Sequence, residues 1–136
     1  MEMGNQAKKE YLLRYRDALI KQRMIEDEIR ELRLNKMVPS LIQDGMPHGT
    51  VVGDLSGYMA KLDALLNDLD RQAQSCIDIR REIVEKIECM QNETEKLLLR
   101  LRYINGKKWE EIAMEMNLDV RWVYRLHGRA LQHFSN

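Results

Sequence analysis

"EEIAMEMNLDVRWVYRLHGRAL", residues 110–131, decides how the C-terminal part of this chain folds. Apolar residues recur at helical spacing on both sides of "NLD": Ile112, Ala113 and Met116 before it, then Val123, Leu126, Ala130 and Leu131. The pattern predicts one short helix from about Trp109 to Met116 and another from about Val120 to Phe134, with room between them only for a tight turn. Asn117 tolerates positive φ, Leu118 is placed to plug the corner, and Asp119 can cap the backbone donors that open the second helix. Small Ala113 lets the two helices cross closely. Such a helix-turn-helix leaves its second helix free to enter a major groove.

Upstream, "QNETEKLLLRLRYINGKKW" begins a fresh helix, because Asn92 followed three residues later by Glu95 has capping-box spacing. Asn105-Gly106 suits the left-handed cap that ends it. The first 91 residues read differently. From Gln6 to Met37 no Pro or Gly interrupts a seam of Tyr11, Tyr15, Ala18, Ile25, Ile29 and Leu32. A helix of about 30 residues is roughly 45 Å long and needs a partner to cover it. Both prolines and four of the seven glycines fall within residues 38–57, so a linker is expected at about 38–55. A second long helix is expected from about Ser56 to Met90, with Leu55, Leu62, Leu69, Cys76, Ile83 and Met90 at seven-residue intervals and Met59, Leu66, Ala73 and Ile87 as companions. Two such helices joined by a Gly/Pro loop suggest an antiparallel, coiled-coil-like hairpin. The same seams also fit pairing between two copies of the chain.

The composition agrees with an all-α protein: 136 residues, 32% of them charged, and rich in strong helix formers. Lys+Arg and Asp+Glu both number 22, so any basic surface must be a local asymmetry. One exists. Residues 120–136 hold Arg121, Arg125 and Arg129 and no acid, Lys107 and Lys108 stand on the preceding loop, and Arg100 and Arg102 lie on the helix before it. The acids of residues 93–119 fall mainly in first turns, where helix dipoles favour them.

"LLLRLRYINGKKWEEIAMEMNLDVRWVYRLHGRALQHF" resembles region 4 of the sigma-70 family, and more narrowly the ArpU-type regulators of phages and mobile elements in Gram-positive bacteria. "LRY", Gly106, "EEIA", "NLD", Val123 and "RAL" fall where region 4 places its core and turn. The resemblance covers about the last third of the chain. It implies a three-helix DNA-binding domain over residues 92–136, preceded by the helical hairpin of residues 1–91. It further implies that Val120, Arg121, Tyr124 and Arg125 face the groove as base-reading residues. An arginine there would pair with guanine O6 and N7, and Val120 would touch a thymine methyl. Phosphate contacts are expected from Lys107, Lys108, Trp122, His127 and Arg129.

Two positions depart from region 4: Lys108 stands where Ser or Thr commonly caps the first motif helix, and Arg121 stands where an acid is common. The first weakens the cap, and the second implies a different base preference. No recognisable equivalent of the sigma region that melts the −10 element is present, so an activator or accessory factor is expected rather than an autonomous sigma factor.

Bland roles compete for several of these residues. Trp109 reads as core, Gly128 as a close helix approach, and Cys76, Cys89, His127 and His133 lack metal-ligand spacing. No catalytic or nucleotide-binding fingerprint is present, so neither an enzyme nor a cofactor is expected. No leader-like or membrane-spanning run occurs, which places the expected protein in the cytoplasm. The expected partners are double-stranded DNA, RNA polymerase, and a second copy through the N-terminal helices. The alternative is an interaction module that docks on polymerase or another protein without binding DNA.

Overall fold

The computed structural model describes residues 4–42 and 51–135, with side chains for 4–35 and 55–135. Among the described residues the structure is helical and contains no strand. Helices α1 (Asn5–Ile42) and α2 (Val51–Glu88) are followed by α3 (Glu93–Leu99), which runs on into a π-helical turn (Arg100–Ile104), and then by α4 (Trp109–Met116) and α5 (Val120–His133). The last two helices occupy the residues their periodicity predicts. The linker expected at about 38–55 is narrower than that: α1 continues to Ile42 and α2 already begins at Val51. Pro39 lies near the end of α1, where its missing N–H removes one hydrogen bond without excluding a final turn. Gly53 falls in the first turn of α2, whose donors have no intrahelical partner in any case. The rest of the expected linker, residues 43–50, lies outside the described residues.

The chain divides into two compact units, the first running up to Leu19 and resuming at Cys76, the second spanning Ile20–Ser75. Their boundary therefore passes through both long helices, whereas the expected division at residues 91 and 92 falls between helices.

The first unit owes this composition to the opening turns of α1. Leu12 is fully buried in one cluster with Ile83 and Ile87 of α2, Leu98 and Leu99 of α3, Ile112 of α4, and Val123 and Ala130 of α5. Buried Lys8 extends its Nζ to the carbonyls of Leu131 (3.0 Å) and Gln132 (3.2 Å), at the end of α5 where unpaired carbonyls and the helix dipole favour a cation. Beside it the Tyr11 ring meets Phe134 at 6.0 Å. Glu82 of α2 accepts from both the Tyr11 hydroxyl (2.7 Å) and Arg14 (2.6 Å). These two donors hold the Glu82 carboxyl below its ordinary range, Tyr11 contributing most.

Asn92 caps α3 as its spacing predicts, accepting the Glu95 N–H at 3.0 Å. The reciprocal half of the capping box is replaced: the Glu95 carboxylate, 1% exposed, is bound through both oxygens by His133 Nδ1 at 2.9 and 2.8 Å. A buried carboxylate requires such a partner. At the other end of this segment the Asn105 N–H reaches back five residues to Arg100, at 2.9 Å, closing the π-turn. Gly106 then adopts φ 69°, and the Lys107 N–H returns to the Leu101 carbonyl at 3.0 Å.

In the second unit the seam residues Ile25 and Leu32 of α1 and Leu62, Leu69 and Ala73 of α2 are half-buried, and Ile29 is buried. Glu28, Glu31, Leu32 and Asn35 of α1 line one surface groove together with Lys61, Ala64 and Leu65 of α2. Several apolar side chains stay exposed: Ile20, Met24 and Leu34 on α1, and Leu55, Met59 and Leu66 on α2.

Candidate nucleic-acid interface

The surface centres on α5, whose orientation is set by the turn before it. Asn117 adopts φ 58° and ψ 47°, the left-handed conformation its side chain tolerates. The Leu118 N–H bonds the Ala113 carbonyl at 2.9 Å, and Leu118 packs against the core from the corner. Asp119 then accepts the Arg121 N–H at 3.1 Å and starts α5. At the start of α4, the Glu111 carboxylate accepts the Lys108 N–H at 3.3 Å, a cap that does not depend on a hydroxyl at position 108.

Val123, Leu126, Ala130 and Leu131 are buried, which turns the opposite side of α5 outward. Arg121 and Arg125, four residues apart, share that outer face with Gln132. Tyr124, 50% exposed, borders the face on one side with its ring edge against Trp109 (5.5 Å). Trp122, 41% exposed, borders it on the other, with the Arg129 guanidinium 5.5 Å from its ring centre. Thus Arg121, Trp122, Tyr124, Arg125 and Arg129 form one continuous exposed surface.

Four other expected residues sit differently. Val120 is half-buried and packs on the core, which leaves part of its side chain outward. Lys108 is exposed, and Lys107 pairs with Glu115 at 3.5 Å. His127 is half-buried between Trp109 (4.6 Å between ring centres) and Tyr103, whose hydroxyl lies 2.7 Å from its Nε2. Burial, followed by the charges of Lys9 and Arg102, pushes the His127 pKa down to about 4. Burial likewise pushes Tyr103 up to about 12, against the opposing charges of Arg102 and Arg16. Near neutral pH the phenol keeps its proton and His127 is uncharged. A neutral imidazole that receives the phenol proton at Nε2 carries its own at Nδ1. His127 therefore brings no cation to the surface. Gly128 also differs from expectation: a Cβ there would meet nothing within 4 Å, so no helix approaches it closely.

Trp109 packs against the core as expected, and Arg102 lies over its ring at 4.3 Å from the ring centre, a contact that sequence spacing does not predict. Arg102 also donates to the Lys107 carbonyl at 3.0 Å, fixing the loop that precedes α4. The sequence pattern places Lys9 and Arg16 only within the first helix of a hairpin.

A family model described as "Protein of unknown function (DUF1492)" matches residues 37–135. The chain belongs to the DUF1492 family. The DUF1492 match takes in α2 to α5, including the whole outer face of α5, and leaves the opening turns of α1 outside. No curated protein and no solved structure matches the chain. Among the described residues no group of three His, Cys, Asp or Glu side chains is arranged to hold a metal ion. None of the described helices is long and apolar enough to cross a membrane.

Proposed function

We propose that the protein is a sequence-specific, DNA-binding transcription regulator of phage or mobile-element type, acting in the cytoplasm, with residues 92–136 as a sigma-region-4-like helix-turn-helix. The observation that carries this reading is the acid-free outer face of α5, where Arg121, Tyr124 and Arg125 stand together on a helix aimed by a short capped turn. In this scheme α5 enters the major groove, Arg121 and Arg125 pair with guanine edges, Tyr124 and the outward part of Val120 touch neighbouring bases, and Lys107, Lys108, Trp122 and Arg129 hold phosphates. The helical hairpin of residues 1–91 supplies dimerisation or contact with RNA polymerase.

Selection of bound sequences from a random duplex pool tests the reading and yields the site. Arg125→Ala should then cost about 1–3 kcal/mol on the selected site and relax its specificity, while Lys107→Ala should weaken every sequence alike. Equal losses for Arg125→Ala on selected and random duplex would remove the base-reading role.

A second reading, a protein-docking module that does not bind DNA, draws on the exposed Ile20, Met24, Leu34, Leu55, Met59 and Leu66 of the second unit. Titration of duplex at two salt concentrations separates the readings, because phosphate contacts require a steep loss of affinity with salt. Failure to bind any duplex at either concentration favours the docking module.

A further inference from the structure

The DNA-facing surface does not end at α5. We propose that the opening turns of α1 belong to it: Lys9 and Arg16, together with Arg102, form a phosphate-binding rim beside Tyr124. The inference rests on the DNA-binding reading and adds Lys9 and Arg16, which lie outside both the helix-turn-helix and the family match.

Helix α1 is held in register against the C-terminal helices by buried Leu12 and by the Lys8 contacts with the last carbonyls of α5. With that register set, Lys9, Leu13 and Arg16, spaced by four and then three residues, share one stripe of the helix. Leu13 packs on the core, so the stripe lies against the first unit rather than away from it. Arg102 lies over the Trp109 ring of the Trp109–Tyr103–His127 cluster at 4.3 Å, and the charges of Lys9 and Arg16 are felt at its other two rings, Lys9 at His127 and Arg16 at Tyr103. Ring contacts then lead from the Tyr103–His127 pair to the α5 face, from His127 to Trp109 at 4.6 Å and from Trp109 to the exposed ring of Tyr124 at 5.5 Å.

The charges are poorly balanced. Arg16 meets the carboxylate of its neighbour Asp17 at 3.2 Å, with both side chains more than half exposed. Among the described residues no carboxylate pairs with Lys9 or Arg102. Three cations acting on one uncharged ring cluster repel one another, and a polyanion relieves that repulsion. On the opposite flank of α5, Arg129 lies over Trp122. A recognition helix bordered by cations on both sides fits a groove bordered by phosphates on both sides.

The test is the salt dependence of duplex affinity, measured on the full chain with the selected site and with random duplex. Each phosphate neutralised contributes about 0.9 to the slope of log affinity against log salt. Lys9→Gln and Arg16→Gln should each flatten the slope by about one such step and weaken both duplexes alike. Lys9→Arg should keep the wild-type slope, which separates charge from packing at a half-buried position. Arg23→Gln, on the exposed side of α1 in the second unit, should change nothing. An unchanged slope in the Lys9→Gln/Arg16→Gln double variant, with Lys107→Gln still flattening it, overturns the rim and leaves the DNA-binding reading standing. A wild-type chain that binds no duplex overturns both.

Discussion

The same two helices pass through both compact units and meet different fates. In the first unit α1 and α2 bury Leu12, Ala18, Cys76, Ile83 and Ile87. In the second, Ile29 alone is buried among the residues with described side chains, and seam positions such as Leu55, Met59 and Leu66 remain exposed. The heptad spacing is equally regular in both stretches. Periodicity states which side of a helix is apolar, while burial depends on how many other elements arrive to cover that side. In the first unit α3, α4 and α5 complete the cover.

The sharpest way to break this contrast is a matched pair of leucine truncations measured by denaturant unfolding. Leu98→Ala, at a fully buried position, should cost about 2–5 kcal/mol. Leu66→Ala should cost less than about 1 kcal/mol, as expected of an exposed position. An equal cost for the two would mean that the second unit's seam is covered in solution by another chain, and the Leu66→Ala effect would then depend on protein concentration.

Next in size is Lys8→Met, which leaves the Leu131 and Gln132 carbonyls without their buried donor and should cost about 1–3 kcal/mol. The same change at exposed Lys21, on the second unit's stretch of α1, should stay within about 0.5 kcal/mol.

The third concerns pH. Because the His127 pKa is depressed to about 4, the unfolded chain takes up a proton at this residue that the folded chain refuses. Stability should therefore fall as pH drops from the unfolded value of about 6.5 toward 4, with no contribution from this residue above that window. Allowing for the partial exposure of the ring, the loss should be about 1–2 kcal/mol. Comparison of wild type with His127→Phe by thermal melting across that range isolates it, since the variant lacks this slope.

The smallest effect sits at Gly128, a helix-interior glycine with open space around its Cα. Gly128→Ala should stabilise the first unit by about 0.5–1 kcal/mol. A destabilised variant would mean that a neighbouring group occupies the space beside its Cα.

Much of the fold was legible where local chemistry and periodicity agree. The bounds of α4 and α5, the left-handed Asn117 and the Asp119 cap are all decided within a few residues of themselves, and they read directly from "EEIAMEMNLDVRWVYR". The seams of α1 and α2 were legible as stripes, but their cover was not. Lys8 looks like any lysine in "QAKKEY" until the end of α5 lies beside it. Glu95 has the spacing of a capping-box acid, and only tertiary packing redirects it to His133. His127 stands among arginines in the sequence and reads there as a phosphate contact. The Tyr103 and Trp109 rings that bury and neutralise it come from elsewhere in the chain, at a distance that period counting does not register.

The Lys8 contacts also bear on how the chain reaches its fold. They join residues 123 and 124 positions apart, so the first unit is interrupted by the whole of Ile20–Ser75 and is completed only after α5 emerges. Non-local closure of this kind slows folding. Early pairing of the intervening helices would shorten the loop to be closed and ease that step, although the cost of loop length rises only slowly. Lengthening the connection around residues 43–50 should therefore slow refolding of the first unit while leaving its unfolding rate almost unchanged.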